Sequence, residues 1–365
     1  MRIDKIRLSD FRNFKEKLLE FSPEKTIIVG PNASGKSNIL EGIFLLSRGK
    51  SFRTRLEEEM IRYSQEISRV KGRIQSDGDR IDLEVILTRG EIKIEDSSDK
   101  YQKAARKKLL VNSVSKRLFN FAGNLKVILF GPWDLELVTE SPSIRRKFLD
   151  GVLSQVDKEY RRASLSYERA LRQRNRLLLK IRDEGASRSQ LIFWDRLIIK
   201  NGDYISRKRE EFIEFCNSNK SHIVSKELNS FWLEYDKSAI SETRLEQYAK
   251  EEVAAATTLI GPHRDDFIFK IQDPKSKIGE ERELSRFGSR GEQRMGDLWL
   301  KLAELSFIES VTGEKPTLLL DDIFSELDHK HREIVSKVAC GQQTIITTAD
   351  PHFIKDMKAG LLIKL

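Results

Sequence analysis

Gly30-Pro31-Asn32-Ala33-Ser34-Gly35-Lys36-Ser37 follows the apolar run Thr26-Ile27-Ile28-Val29 and leads directly into Asn38-Ile39-Leu40-Glu41-Gly42-Ile43-Phe44. The order reads as strand, glycine loop, helix, and every position fits G-x-x-x-x-G-K-[ST]. Gly30 and Gly35 let the backbone fold back so that its N–H groups point at phosphate oxygens, and the helix opening near Lys36 adds its positive dipole end. Lys36 can reach the β- and γ-phosphates of a nucleotide, while the Ser37 hydroxyl can take one coordination position on Mg²⁺. The expected nucleotide contacts are therefore Gly30, Asn32, Ala33, Ser34, Gly35, Lys36, Ser37 and Asn38, with ATP and Mg²⁺ as the implied ligands. A chance glycine-rich turn has no reason to carry both the strand and the helix that the motif requires.

The chain of 365 residues has room for two domains or one large lobed one. It contains no apolar run long enough to span a bilayer, and Met1-Arg2-Ile3-Asp4-Lys5 lacks a signal-peptide core, so a cytoplasmic protein with no membrane partner is expected. Cys216 and Cys340 lie far apart without metal-ligand spacing and read as buried, reduced thiols. A net charge of +9 is compatible with a polyanionic partner, although its location matters more than its sum.

Upstream of the loop, strands are expected from Ile3 to Phe14 and from Lys17 to Phe21. Downstream, Gly49-Lys50-Ser51-Phe52-Arg53-Thr54-Arg55 is a basic connection, either solvated or facing nucleotide or DNA. Period-two alternation from Val70 to Ile94, with turns at Ser76-Asp77-Gly78-Asp79 and Arg89-Gly90, predicts an antiparallel meander. Lys126-Val127-Ile128-Leu129-Phe130 reads as a buried strand, closed by Gly131-Pro132, which opens a helix with Asp134 near its first turn.

Ser141-Pro142 begins a long helical region. Val156, Tyr160, Ala163, Tyr167, Ala170 and Leu177 recur on one face, interrupted by Arg174. Lys158, Arg162, Arg169, Arg172, Arg176 and Lys180 lie on nearly the opposite face. One charge per turn can follow a phosphate backbone, so Arg162, Arg169, Arg172, Arg176 and Lys180 are candidate DNA contacts, with a solvated helix face as the open alternative. Asp183-Glu184-Gly185-Ala186-Ser187 turns the helix back as a hairpin. His263, in Gly261-Pro262-His263-Arg264-Asp265-Asp266, reads as structural.

Thr317-Leu318-Leu319-Leu320-Asp321-Asp322 is a buried strand ending in two carboxylates. Asp321 is the expected Mg²⁺ ligand with Ser37, and Asp322, with Lys36, the expected catalytic residue, placed to orient or deprotonate the attacking water. The arm of Asp322 is shorter than a glutamate's, which predicts slow hydrolysis. Phe287-Gly288-Ser289-Arg290-Gly291-Glu292-Gln293-Arg294 precedes a long apolar helix and offers a second anion-ready helix N-terminus.

In this order, the phosphate loop, serine-glycine signature, carboxylate strand and Ser325-Glu326-Leu327-Asp328 loop resemble the ATP-binding cassette ATPases. The helical insertion is similar to the SMC-like branch. Gly49-Lys50-Ser51-Phe52-Arg53-Thr54, Ser141-Pro142-x-x-Arg145-Arg146-x-Phe148-Leu149-Asp150, Gln173-Arg174-Asn175 and the Gly261 to Asp266 string resemble the RecF family of recombination-repair proteins over nearly the whole chain.

That resemblance implies an α/β fold, an ABC-type P-loop ATPase head. Lobe I, with mixed sheets, is expected over residues 1–132 and 310–365, and a largely helical lobe II over 133–309. It further implies that two subunits sandwich two ATP molecules, Ser289 and Gly291 of one reaching the γ-phosphate held by Lys36 of the other. The ATP-bound homodimer would bind double-stranded and gapped DNA at single-strand/double-strand junctions without sequence preference, and help load RecA with RecO and RecR. The implied enzyme is a weak DNA-dependent ATPase with Thr348, after Thr344-Ile345-Ile346, as a γ-phosphate sensor. Family members often carry Gln at the position of Glu292 and Thr at that of Met295. Two other readings share the loop and carboxylates: a transporter's ATPase subunit, which the charged insertion disfavours, and an SMC-like nuclease partner, which needs longer coiled coils or an added domain.

Overall fold

The computed structural model describes residues 1–54, 56–76, 78–93, 101–218, 228, 230–272, 281–350, 352 and 360–365; Arg55, Asp77 and Ile94 of the sequence reading lie outside them. The chain divides into two compact units, Met1–Asp134 with Ile308–Leu365, and Leu135–Phe307.

The first unit opens with β1 (Arg2–Phe11), β2 (Phe14–Glu20), β3 (Lys25–Val29) and α1 (Lys36–Arg48). β4 (Ile67–Ser76), β5 (Asp79–Thr88), β6 (Glu91–Lys93), β7 (Tyr101–Lys103), β8 (Lys107–Val111), β9 (Val114–Ser115), α2 (Leu118–Phe121) and β10 (Val127–Phe130) follow. The second unit contains α3 (Pro142–Val156), α4 (Lys158–Glu184), α5 (Ile192–Ser218), β11 (Phe231–Asp236), α6 (Glu242–Gln247), α7 (Ala249–Ala255), β12 (Asp266–Gln272), β13 (Glu281–Glu283) and α8 (Leu284–Phe287). α9 (Arg290–Thr312) returns the chain to the first unit, which closes with β14 (Thr317–Asp321), α10 (His329–Ala339), β15 (Thr344–Thr348) and β16 (Leu361–Lys364).

Among its described residues the first unit holds an antiparallel sheet ordered β2-β1-β4-β5-β8-β9, a parallel one ordered β10-β14-β15-β3-β16 and the small ribbon of β6 and β7. The alternation in β4 and β5 buries Val70, Ile74, Leu83, Val85 and Leu87 on one face. In β1 the buried set shifts parity between Ile3 and Ile6, which the register slip between Ile3 and Lys5 explains. α1 packs against strands of both sheets, burying Ile39, Leu40, Ile43, Leu45 and Leu46. A helix apolar on most of its circumference is stable only when covered on more than one side. Gly42 permits the approach: a Cβ there would stand 2.8 Å from Leu8 Cδ2.

The second unit holds its own apolar centre, with Phe148 against Phe212 and Phe267, and Phe212 against Phe307. α4 and α5 form the antiparallel hairpin expected from the Gly185 break, where Gly185 caps α4 at φ 67°.

Several expectations change. The helical region from Pro142 is two helices, because Asp157 leaves helical geometry and accepts from the Tyr160 N–H to cap α4. Leu178, rather than Leu177, is buried, and Arg174 belongs to the inward face. The run after Gly90 leaves the meander, since β6 pairs with β7 in a separate ribbon. Gly131-Pro132 opens a 3-10 turn, Pro132–Glu136, in place of an α-helix. Cys216 is buried but Cys340 is exposed.

Candidate nucleotide site

All five strands of the parallel sheet run the same way, so the carboxyl ends of β3, β14 and β15 share one edge, where ligands of open α/β sheets bind. Register sets the detail. Asp321 pairs with Thr347, and Thr348 with Val29, so Asp321, Thr348 and the start of the glycine loop stand side by side. The Gly30 N–H donates to Thr348 O at 3.4 Å.

Gly35 has φ +103° and caps α1, and a Cβ there would lie 2.5 Å from Phe14 Cζ. Only glycine fits both constraints. Ala33 also has positive φ, 65°, and together these residues curl the loop. Lys36 is 7% exposed, its Nζ donating to Gly30 O at 2.8 Å and Pro31 O at 3.0 Å. The ammonium therefore lies within the curl of the loop. Asn32 and Ala33 are exposed along its rim.

Ser37 Oγ donates to Asp321 Oδ1 at 3.0 Å, and Thr347 Oγ1 donates to the same oxygen at 2.6 Å. Asp321 is 3% exposed, whereas Asp322 is half-buried and takes the left-handed backbone region at φ 51°. Thr348 Oγ1 approaches Asp322 Oδ1 to 3.5 Å and accepts from the Asp350 N–H at 3.2 Å. Lys36, Ser37, Asp321, Asp322 and Thr348 thus gather at one edge.

Whether the loop suits an anion can be tested on its polar atoms. Ser34 Oγ is buried with no hydrogen-bond partner among the described residues, which is costly unless an outside group supplies one. With a cation beside it and backbone N–H groups around it, the chemistry fits phosphate. Ser37 and Asp321 are hard oxygen donors within hydrogen-bond distance of each other, as a Mg²⁺ position requires. Among the described residues, no cluster of three or more His, Cys, Asp or Glu has metal-holding geometry.

Two parts of this site escape the sequence reading. The hairpin between β1 and β2 turns at Arg12-Asn13, where a continuous strand to Phe14 was expected. Asn13 Nδ2 donates to Ser34 O at 3.3 Å, and Asn38 Nδ2 to Asn13 Oδ1 at 2.8 Å, so this turn braces the loop. Arg12 grips Glu41 through Nε at 2.8 Å and Nη2 at 2.6 Å, and Ser51 Oγ donates to Glu41 at 2.5 Å. Glu41 is fully buried on α1, a paired charge that fixes the helix behind the loop. A polar pair between Phe11 and Phe14, and a glutamate amid apolar residues, are the signals that point to them. From the basic connection, Arg53 Nη1 donates to Asn38 Oδ1 at 2.8 Å, so Arg53 faces the loop.

The other candidate residues lie in the second unit. Ser289 precedes α9, accepting from the Glu292 N–H at 3.3 Å while its own N–H donates to Glu292 Oε2 at 2.7 Å. This reciprocal pair is a capping box. A Cβ on Gly291 would meet nothing within 4 Å. On α4, Arg169, Arg172, Arg176 and Lys180 are exposed and make no hydrogen bond or ion pair with a described residue. Arg162 differs, with both Nε and Nη2 donating to Glu159. Arg174 is 2% exposed, ion-paired to Asp195 at 2.6 Å and Glu252 at 2.7 Å, and donates to Thr258 Oγ1 at 2.8 Å.

The Gly261 to Asp266 string sits in a buried polar network. Asp265 accepts from Arg209, Ser206, the Ser238 N–H and Tyr235. His263 Nε2 lies 3.0 Å from Thr258 O, so it carries the proton, and the Tyr167 hydroxyl donates to Nδ1 at 2.8 Å. Burial lowers its pKa to about 4. The histidine is structural and neutral.

The RecF/RecN/SMC N terminal domain matches residues 2–364. The DNA replication and repair protein RecF of Herpetosiphon aurantiacus is 34% identical across 98% of this chain and 97% of its own length. Its counterpart from Halothermothrix orenii is 36% identical, covering 96% of this chain and 92% of its own. A solved structure of the recombination mediator protein RecF with ATP, in the RecFOR pathway, superposes with TM-score 0.85 at 31% identity, covering 99% of this chain and 95% of that one. Among the described residues no helix is long and apolar enough to cross a membrane.

Proposed function

This chain belongs to the RecF family, and from that premise we propose that it is an ATP-gated, DNA-binding repair protein whose nucleotide serves as an adhesive between two copies. The observation that carries the reading is the convergence of Lys36, Ser37, Asp321, Asp322 and Thr348 at one edge of the parallel sheet, beside the unpartnered Ser34 hydroxyl. Gly30, Asn32, Ala33, Ser34, Gly35 and Asn38 frame the triphosphate, and Lys36 bears on its outer phosphates. Ser37 and Asp321 would hold Mg²⁺, which would supply positive charge to neutralise the phosphates. Asp322 orients the attacking water and Thr348 senses the terminal phosphate. The short Asp322 arm keeps turnover slow.

Ser289 and Gly291 of one copy engage the γ-phosphate held by the other. A donor set aimed at a charge that disappears on hydrolysis favours the dimer only while ATP is intact. In that state Arg169, Arg172, Arg176 and Lys180 contact the phosphates of double-stranded or gapped DNA. These residues span roughly 16 Å of helix. Binding of this kind is sequence-tolerant and salt-sensitive. Arg162 contributes less because Glu159 already pairs it. The solved RecF–ATP relative is a recombination mediator of the RecFOR pathway, which supports RecO and RecR as partners; loading of RecA at single-strand/double-strand junctions is the outcome that membership of the family implies.

Sedimentation with and without ATP and gapped DNA tests this directly. The wild type dimerises with ATP, Lys36→Met stays monomeric because it loses nucleotide, and Ser289→Arg stays monomeric while still binding it. Undiminished dimerisation by either variant contradicts the sandwich.

A further inference from the structure

We propose that Glu292 is an anionic gate on the signature turn and that Arg282 is the positioning residue that sets how firmly it is held closed. The inference rests on the sandwich reading. It concerns what an incoming phosphate meets at Ser289.

The donors that would receive a terminal phosphate are the Ser289 hydroxyl and the N–H groups of the first turn of α9. One neighbouring donor is already engaged: the Ser289 N–H donates to Glu292 Oε2 at 2.7 Å. The opposite carboxylate oxygen, Oε1, accepts from Arg282 Nη2 at 2.5 Å. Arg282 Nη1 also donates to Phe287 O at 3.1 Å, tying the carboxylate to the turn that presents Ser289. Partial burial pushes the Glu292 carboxyl up, but the Ser289 N–H and hydroxyl, together with Arg282, hold it below the usual carboxylate range. A full negative charge therefore stands at the helix start.

The same carboxylate has two opposed effects. It completes the capping box and so stabilises α9 in every state. It also repels a second anion arriving beside Gly291, where the turn is open. Arg282 offsets part of that repulsion, so the pair tunes how strongly nucleotide drives association. An amide at position 292 keeps the oxygen that accepts from Ser289 and loses the charge. Charge and cap can thus be separated.

Sedimentation velocity across protein concentrations, with Mg²⁺ and a nonhydrolysable ATP analogue, is the test. Glu292→Gln is expected to half-dimerise at a concentration about tenfold below wild type, a shift of about 1.4 kcal/mol. Arg282→Gln is expected to need about tenfold more protein, and the double variant to recover at least the wild-type value, a rescue that a merely structural Arg282 would not give. Thermal melts report the cap separately: Glu292→Gln stays near wild type, while Glu292→Ala falls. A Glu292→Gln variant that melts like wild type yet dimerises no more readily overturns the gate alone. Wild-type protein that binds the analogue but never dimerises overturns the sandwich and the gate together.

Discussion

The Ser37 hydroxyl donates to Asp321 Oδ1 at 3.0 Å, joining the glycine loop to the carboxylate strand across 284 positions of sequence. The contact exists because β3 and β14 run parallel in one sheet with β15 between them, so their carboxyl ends open on the same edge. It places two oxygen donors where one hard cation can replace the shared hydrogen. Asp321→Asn keeps an acceptor for Ser37 and Thr347 but removes the charge. Titration calorimetry with and without Mg²⁺ should show that the ion's enhancement of ATP affinity disappears in this variant, with little change in the Mg²⁺-free affinity. An enhancement equal to wild type rules out Asp321 as a ligand.

Arg12 and Glu41 form a charged pair behind the loop, with the Glu41 side chain wholly buried and Arg12 19% exposed. Arg12→Ala leaves a buried carboxylate short of its main partner, which costs about 3–5 kcal/mol. Urea denaturation should show that loss, and Arg12→Met with Glu41→Leu should recover most of it. If the single and double variants are equally unstable, the penalty comes from packing and not from the stranded charge.

Protonation of His263 gives the second unit a pH dependence. Its folded pKa of about 4 lies below the ordinary 6.5, so the unfolded chain takes up a proton first as the pH falls. Stability is therefore lost between pH 6.5 and 4 and levels off below, by at most about 3 kcal/mol in total. His263→Asn cannot titrate. The wild-type minus variant difference in unfolding free energy should shrink on acidification across that window, and a flat difference would show that His263 does not titrate there.

On α4 the free and paired cations should behave differently toward DNA. Replacing Arg172, Arg176 and Lys180 together by Gln is expected to reduce the slope of log affinity against log salt by roughly 2 to 3. Arg162→Gln should reduce it by well under 1, because Glu159 already neutralises that guanidinium. Fluorescence anisotropy over a salt series measures both, and an unchanged slope in the triple variant removes this face from the DNA contact.

Strand, loop and helix around Gly30 to Ser37 were legible because the decisive chemistry is local: an apolar run, two glycines and a helix start within a few residues. Asp321 and Asp322 were legible for a similar reason, as a buried strand with charges at its end. Arg174 reads as an interruption in the sequence because nothing near it reveals Glu252 or Asp195, its ion-pair partners. A charge on an apolar stripe becomes sensible only once a distant carboxylate is folded against it. The Asp157 break is invisible in the sequence because the periodicity continues across it, while one side chain redirects the backbone. Arg12-Asn13 reads as part of a strand for the opposite reason, two polar residues being too short a signal beside the apolar positions on either side.

The first strand of the nucleotide edge, β3, pairs among the described residues with β15 and β16, and both are made roughly 300 residues after it. On a ribosome, Lys25 to Val29 emerge early and wait for partners synthesised on the order of 15–60 s later. Throughout that interval the glycine loop lacks the two strands that flank β3 in the sheet. The interleaving withholds the loop's platform until both later strands have been made, and it leaves the edges of an apolar strand uncovered meanwhile.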